Sequence, residues 1–293
     1  MRILDFSVPP EYDGVRLKGL LHGFCGLSVR QFARLKRFPG GVLRNGLPAI
    51  APDLLRAGDK IRVTFPDDEK FQAPVPLPFA PIYEDEDILV AEKPSGMPMY
   101  PTPGHDCDSF ANAVSYHWML SGRQFSFRPV YRLDKDTTGI VVLAKNSFAA
   151  FRLAGRVQKL YLAVCEGKLP GCGKIDGPIG LMPGHTIQRA VTPNGAEAVT
   201  FWRCLACNEN YSLLAVRIRT GRTHQIRVHF SDCGHPLAGD DMYGGTRRQM
   251  ARQALHCAQI RFRHPVSGKI VKFRCALPED MKTIVSSVSG LNE

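Results

Sequence analysis

The sequence predicts an α+β protein in which a small helix, helix and hairpin unit precedes a larger domain built around a mostly antiparallel mixed sheet. Three observations carry that expectation. Five prolines cluster between Pro66 and Pro81; two helix-like stretches and an Asn-Gly turn come before them, and a succession of short β-type runs separated by turns comes after. Proline fixes φ and removes a backbone donor, so residues 66–81 can hold neither a helix nor a central strand. They read as a linker between units at 1–65 and 82–293.

In the first unit Val15, Leu17, Leu20, Leu21 and Phe24 recur at helical spacing, and Ser28-Val29-Arg30-Gln31 carries the capping pattern that opens a second helix. Arg30, Arg34, Lys36 and Arg37 give that helix a basic side, while Val29, Phe32 and Leu35 supply apolar positions for packing. Val42 to Leu47 contains Asn45-Gly46, a strong short-range hairpin signal. Lys60 to Phe65 then alternates apolar and polar residues, as a half-buried strand does. This order resembles the small S-four-like RNA-binding domain named after a primary-binding small-subunit ribosomal protein, and the resemblance implies that the unit holds RNA.

Downstream of Pro81, strands are expected at Ile88–Ala91, Val130–Leu133, Ile140–Ala144, Tyr161–Val164, Ala198–Arg203, Leu213–Ile218, Ile260–Arg263 and Ile270–Cys275. Helices are expected at 109–120 behind an Asp108-Ser109 cap, at 147–157 behind Asn146, and at 223–232 before Gly234.

Composition narrows the function classes. The chain has 293 residues, 44% hydrophobic and 22% charged, which suits folded domains and not a disordered chain. A formal net charge of +11 favours a polyanionic partner. The longest strongly apolar stretch, Gly139 to Ala144, is far short of the ~20 residues a spanning helix needs, so no membrane role is expected. The opening Met1-Arg2-Ile3-Leu4-Asp5-Phe6 reads as no targeting segment. Nine scattered cysteines suit reduced thiols and a cytoplasmic protein. Cys204 and Cys207 have C-x-x-C spacing but no second ligand pair follows, so they read as buried strand thiols and no metal site is expected.

Two segments carry chemistry. Arg132-Leu133-Asp134-Lys135-Asp136-Thr137-Thr138-Gly139 lies between strand-like runs, where a carboxylate serves either as a turn residue or as a reactive group facing a cleft. Thr220-Gly221-Arg222-Thr223-His224-Gln225-Ile226-Arg227-Val228-His229 passes from a strand into a helix and concentrates donors near the helix start, which suits phosphate or a paired carboxylate.

With Lys93-Pro94-Ser95-Gly96, Lys159-Leu160-Tyr161-Leu162-Ala163-Val164, Gly234-His235-Pro236, Gly239-Asp240, Tyr243-Gly244, Leu255-His256 and His264-Pro265-Val266-Ser267-Gly268-Lys269, these segments follow one another in the order of a known family. Over about residues 82–275 the chain resembles the RluA-type pseudouridine synthases, which isomerise uridine in ribosomal or transfer RNA. The resemblance implies an isomerase that needs no cofactor. Asp134 would supply the catalytic carboxylate, Arg222 the guanidinium that pairs with it and favours its charged form, and Tyr161 a ring against uracil with a hydroxyl able to move a proton. Arg132 would fill the gap left by the flipped base or clamp a phosphate, since on extended backbone it shares a side with Asp134 and leaves Leu133 opposite. Lys93, His224 and Arg227 would contact phosphate or pack the site. Tyr131 stands where the family usually has histidine, and Thr138 where serine is commoner. The charge alone also fits a noncatalytic RNA-binding or ribosome-assembly protein, which would leave Asp134, Tyr161 and Arg222 unused. The residues do not choose between ribosomal and transfer RNA or between attack on sugar and on base. A site made by one chain makes a monomer sufficient.

Overall fold

The computed structural model describes residues 2–27, 29–65 and 71–289. Fifteen strands and six α-helices are assigned among them. The first unit comprises β1 (Arg2–Ser7), α1 (Leu17–Gly23), α2 (Val29–Arg37), β2 (Val42–Arg44), β3 (Leu47–Pro48) and β4 (Lys60–Phe65), its strands ordered β1-β4-β2-β3. The turn joining β2 to β3 puts Asn45 and Gly46 at positive φ, as the hairpin requires. Leu17, Leu20 and Leu21 of α1 and Phe32 and Leu35 of α2 close its core with Ile61 and Val63. Arg34, Lys36 and Arg37 remain exposed. Val29, expected to pack, is 71% exposed because it stands at the very start of α2. Ser28, and with it the expected capping pattern, lies outside the described residues, as do residues 66–70 of the proline-rich stretch. Residues 71–79 have no regular structure.

The larger sheet is built from β5 (Ala80–Glu84), β6 (Ile88–Lys93), β7 (Thr138–Ala144), β8 (Gln158–Glu166), β9 (Cys172–Asp176), β12 (Val199–Cys207), β13 (Tyr211–Ile218), β14 (Leu255–Arg263) and β15 (Ile270–Arg274). Between β9 and β12 the chain makes a separate two-stranded ribbon of β10 (Ile179–Leu181) and β11 (Arg189–Val191). The sheet order is β5-β6-β7-β14-β8-β13-β12-β9, with β15 on the outer half of β14; only β7 and β14 run parallel. Every residue of β7 is buried, as its continuous apolar run requires of a strand covered on both faces.

Three helices support the sheet. α3 (Phe110–Leu120) begins at Ser109, which caps it with Asn112 in a reciprocal pair, and α4 (Ser147–Leu153) begins at Asn146, which accepts from the Ala149 N–H. α4 is shorter than expected because Ala154 leaves the helical region and Gly155 follows at positive φ. α6 (Glu279–Ser289) buries Met281, Ile284 and Val288 against β13 and β12. The expected strand at Val130–Leu133 does not form. Pro129 makes an isolated bridge to Leu143 and the Val130 N–H bonds the Val142 carbonyl, but the ladder then breaks, since proline offers no donor.

The first unit is seated on α4 and on the start of β6. Phe148 belongs to its apolar core, 6.4 Å from Phe65, and Arg152 lies over the Phe24 ring at 5.4 Å. Arg2 pairs with Asp87 through two bonds of 2.8 Å. All nine cysteines are free thiols; Cys204 and Cys207, expected to be buried, are only partly so, on either side of a bulge in β12. No helix among the described residues is long and apolar enough to cross a membrane.

Candidate active site

A cavity of about 1270 Å³ opens where the irregular 130–137 segment, β8, β11, the end of β13 and helix α5 (Gln225–Asp232) converge. Its wall carries eight arginines and lysines and a single carboxylate, Asp134. That imbalance makes the acid the odd group in an anion-seeking surface.

The 134–138 loop is fixed from beneath by buried groups. Lys93 is fully buried and spends its three donors on the carbonyls of Pro94, Met97 and Lys135 at 2.7–2.8 Å. Of the two roles expected of it, it therefore takes the packing one: it holds the Asp134 loop and does not reach a phosphate. Burial pushes its ammonium down to about 7, with Asp136 and Asp134 opposing the shift. Arg252, clamped by Asp280, donates to the Asp136 carbonyl at 3.0 Å, and Thr138 meets the His256 ring at 2.9 Å. Gly139 has φ +115° and lies so close to the Cys257 backbone that a Cβ would overlap it, so β7 can approach β14 here only through glycine.

Above this floor, burial alternates as extended backbone predicts: Arg132 is exposed, Leu133 is buried in the core, and Asp134 returns toward the cavity. The cation beside Asp134 is Arg227, not Arg222. Arg227 Nη1 is 3.4 Å from Asp134 Oδ2, while its Nε and Nη2 hold both oxygens of Asp240 at 2.6 and 2.7 Å. Its ring-side face lies 4.9 Å from the Tyr243 ring centroid. Burial would lower the guanidinium's proton affinity, but the Asp240 bonds and the charges of Asp240 and Asp134 raise it.

The reason for the exchange is local. Arg222 precedes α5 in an exposed turn, where its Nε donates to the Glu197 carbonyl at 2.9 Å. Arg227 stands in the first turn of α5 on the helix's inner face. Gln225 bolts that turn to β12 through Val199 and Thr200, so the inner face is fixed against the cavity.

His224 sits at the start of α5 at φ +57°, a costly backbone for a non-glycine residue, with its Nδ1 2.7 Å from the Tyr243 hydroxyl. Burial holds the ring below its ordinary pKa, in opposition to the Asp134 charge. Tyr161 presents its ring to the cavity from β8 with only 4% exposure. Burial pushes that phenol well above its ordinary range, and the Asp134 charge adds to the shift, so it keeps its proton. Tyr131, the departure from the family pattern, donates to the Ile140 carbonyl at 2.8 Å and supports the Lys159 ammonium 4.7 Å above its ring.

Sequence reasoning left out three groups that the structure brings to this cavity or its support: Asp240, Tyr243 and Arg189. Asp240 and Tyr243 lie in the Gly239-Asp240 and Tyr243-Gly244 motifs, and a buried carboxylate partner for a helix arginine was the signal available. Among the described residues no group of three or more His, Cys, Asp or Glu side chains is placed to hold a metal ion.

The chain is similar to known proteins over most of its length. A family model described as RNA pseudouridylate synthase matches residues 87–232. A Bacillus subtilis protein named uncharacterized RNA pseudouridine synthase YjbO is 38% identical across 90% of this chain and 96% of its own. A Nitrosomonas europaea protein named ribosomal large subunit pseudouridine synthase D is 38% identical across 98% of this chain and 88% of its own. Among solved structures, human RNA Pseudouridylate Synthase Domain Containing 1 superimposes with a TM-score of 0.56 at 26% identity, over 69% of this chain and 84% of that one.

Proposed function

The chain belongs to the RNA pseudouridylate synthase family and is an RNA pseudouridine synthase, and from that premise we propose that Asp134 is its catalytic carboxylate and that its target lies in large-subunit ribosomal RNA. The observation that carries the first part is the lone acid in a cationic cavity, tethered to an arginine whose other nitrogens are already fixed. A guanidinium locked by Asp240 cannot swing away as charge on Asp134 changes, so it stabilises the anion without reorganising.

The reaction breaks the bond between uracil N1 and ribose C1′, turns the ring, joins C5 to C1′, and moves the C5 proton eventually to N1. Nothing is gained or lost, so the work is to evert the base, to supply a carboxylate at the sugar or the base, and to shuttle one proton. The Tyr161 ring is a flat apolar wall for the everted uracil, and Arg132, exposed on the irregular 130–137 segment, would occupy the space it leaves or hold a phosphate. Arg227 takes the ion-pair role first given to Arg222. A noncatalytic RNA clamp leaves the buried Arg227–Asp240 pair and its bond to Asp134 without a purpose.

The ribosomal target is supported by relatives named ribosomal large subunit pseudouridine synthase D at 34–38% identity. The exposed basic side of α2 supports an RNA-holding role for the first unit, nine free thiols suit the cytoplasm, and a site lined by one chain makes a monomer sufficient. Pseudouridine mapping in strains with and without the gene tests the assignment: a site lost from large-subunit RNA is expected, and loss confined to transfer RNA overturns it.

A further inference from the structure

Arg189 enters neither the ion-pair system nor the base wall, yet its surroundings are built to aim it. It stands on β11, in a ribbon whose outer end is bolted to the cavity rim. Its backbone N–H donates to the Tyr243 hydroxyl at 2.9 Å, that hydroxyl meets His224, and the neighbouring Gln188 donates to the Met242 carbonyl at 2.9 Å. Val191 of the same strand packs into a small apolar cluster with Ile179, Ala198, Val228 and Tyr243. The backbone is thus fixed against α5, next to the residues that hold Asp134.

The side chain is treated in the opposite way. Arg189 lines the cavity, its Nε is buried with no hydrogen-bond partner, and no carboxylate among the described residues pairs with it. A buried donor left unsatisfied is costly in the free protein and marks a place where an acceptor arrives with a ligand. Its charge is also felt by His224, whose pKa it helps to depress after burial. Asp134 is already bound to Arg227, so the cavity offers Arg189 no acid of its own.

We propose that Arg189 binds the phosphodiester next to the everted uridine, so that the target nucleotide is held by its backbone on one side while Asp134 meets its glycosidic bond. A planar guanidinium fork matches two phosphate oxygens, and an anion arriving there satisfies the orphaned Nε and the charge together. A uracil carbonyl would answer one donor and leave the charge uncompensated.

This inference rests on the RNA-modifying reading and can fail separately from it. Turnover is read as tritium release from RNA labelled at uridine C5 and taken from cells lacking the gene, and affinity by filter binding of the same RNA to Asp134→Asn protein across a salt series. Arg189→Gln is expected to raise KM about tenfold with kcat within about twofold, and to make the slope of log Kd against log salt shallower by about one, the loss of one phosphate contact. Arg189→Lys should recover the slope but only part of the affinity. Unchanged KM and slope would overturn the proposal. So would a fall in kcat with KM preserved, or a drop in melting temperature that Lys does not relieve. If wild-type protein releases no tritium, the RNA-modifying reading fails while the binding series still judges Arg189.

Discussion

Two basic hollows among the described residues differ in what their cations face. In the cavity around Asp134, Arg132, Lys159 and Arg189 have no carboxylate partner among the described residues. In the second, a groove of about 570 Å³ between α2, the start of β6 and the loop after α3, Arg2 is taken by Asp87, Arg123 by Glu86 and Lys145 by Glu84. Net charge therefore does not locate the substrate. A cation already answered by an acid does structural work, whereas one left unanswered beside a cavity is available to phosphate.

The sharpest test removes the acid that distinguishes the first hollow. Asp134→Asn keeps shape and loses charge; tritium release should fall at least about ten-thousand-fold while RNA affinity stays within a few-fold. Full activity in that variant would end the mechanism. The next largest effect separates two arginines five positions apart. Arg227→Gln leaves Asp240, whose side chain is 1% exposed, charged and unpaired, so stability should drop by about 3–5 kcal/mol and turnover by on the order of a hundredfold. Arg222→Ala removes an exposed residue and should change turnover by no more than a few-fold. Thermal melts alongside tritium release decide it, and equal losses in the two variants would return Arg222 to the site.

These arginines show where a sequence stops being legible. The hairpin at Asn45-Gly46, the capped start of α3 and the buried run of β7 follow from signals carried by a few adjacent residues, and all three stand as expected. β1 does not, because its apolar residues are short of a clear period and its partner β4 lies more than fifty residues away. α6 was absent from the expected elements although Met281, Ile284 and Val288 recur at helical spacing. Asp134, Tyr161 and Arg227 were visible as motif residues. Which arginine faces Asp134 was not, because that depends on where α5 begins and which of its faces Gln225 pins to β12. Lys93 was left open between phosphate contact and packing for a related reason: only the fold reveals that three carbonyls already surround it.

A medium effect probes the second hollow's deeper pair. The Asp87 side chain is 5% exposed and accepts from both Arg2 and Asn146, tying the first unit to α4 and β6. Asp87→Ala strands two donors together and should cost about 1–3 kcal/mol of stability in denaturant titration. A neutral result would mean that the apolar contact through Phe148 alone seats the first unit.

The smallest effect is the one the comparison most needs. Arg123 bonds Glu86 at the lip of the second groove, but the two side chains are 47% and 61% exposed, so water screens the pair and its ordering entropy offsets much of the attraction. Arg123→Ala should therefore change stability by less than about 1 kcal/mol. It should also leave the salt slope of RNA binding where it was, because an arginine answered by its own carboxylate releases few counterions from a phosphate. Arg189→Gln and Arg123→Ala each delete one positive charge, so any model in which the groove tracks RNA through bulk charge expects equal changes in slope. If Arg123→Ala flattens the slope by about one, the second hollow carries RNA too, and the division between answered and unanswered cations no longer marks where the substrate lies.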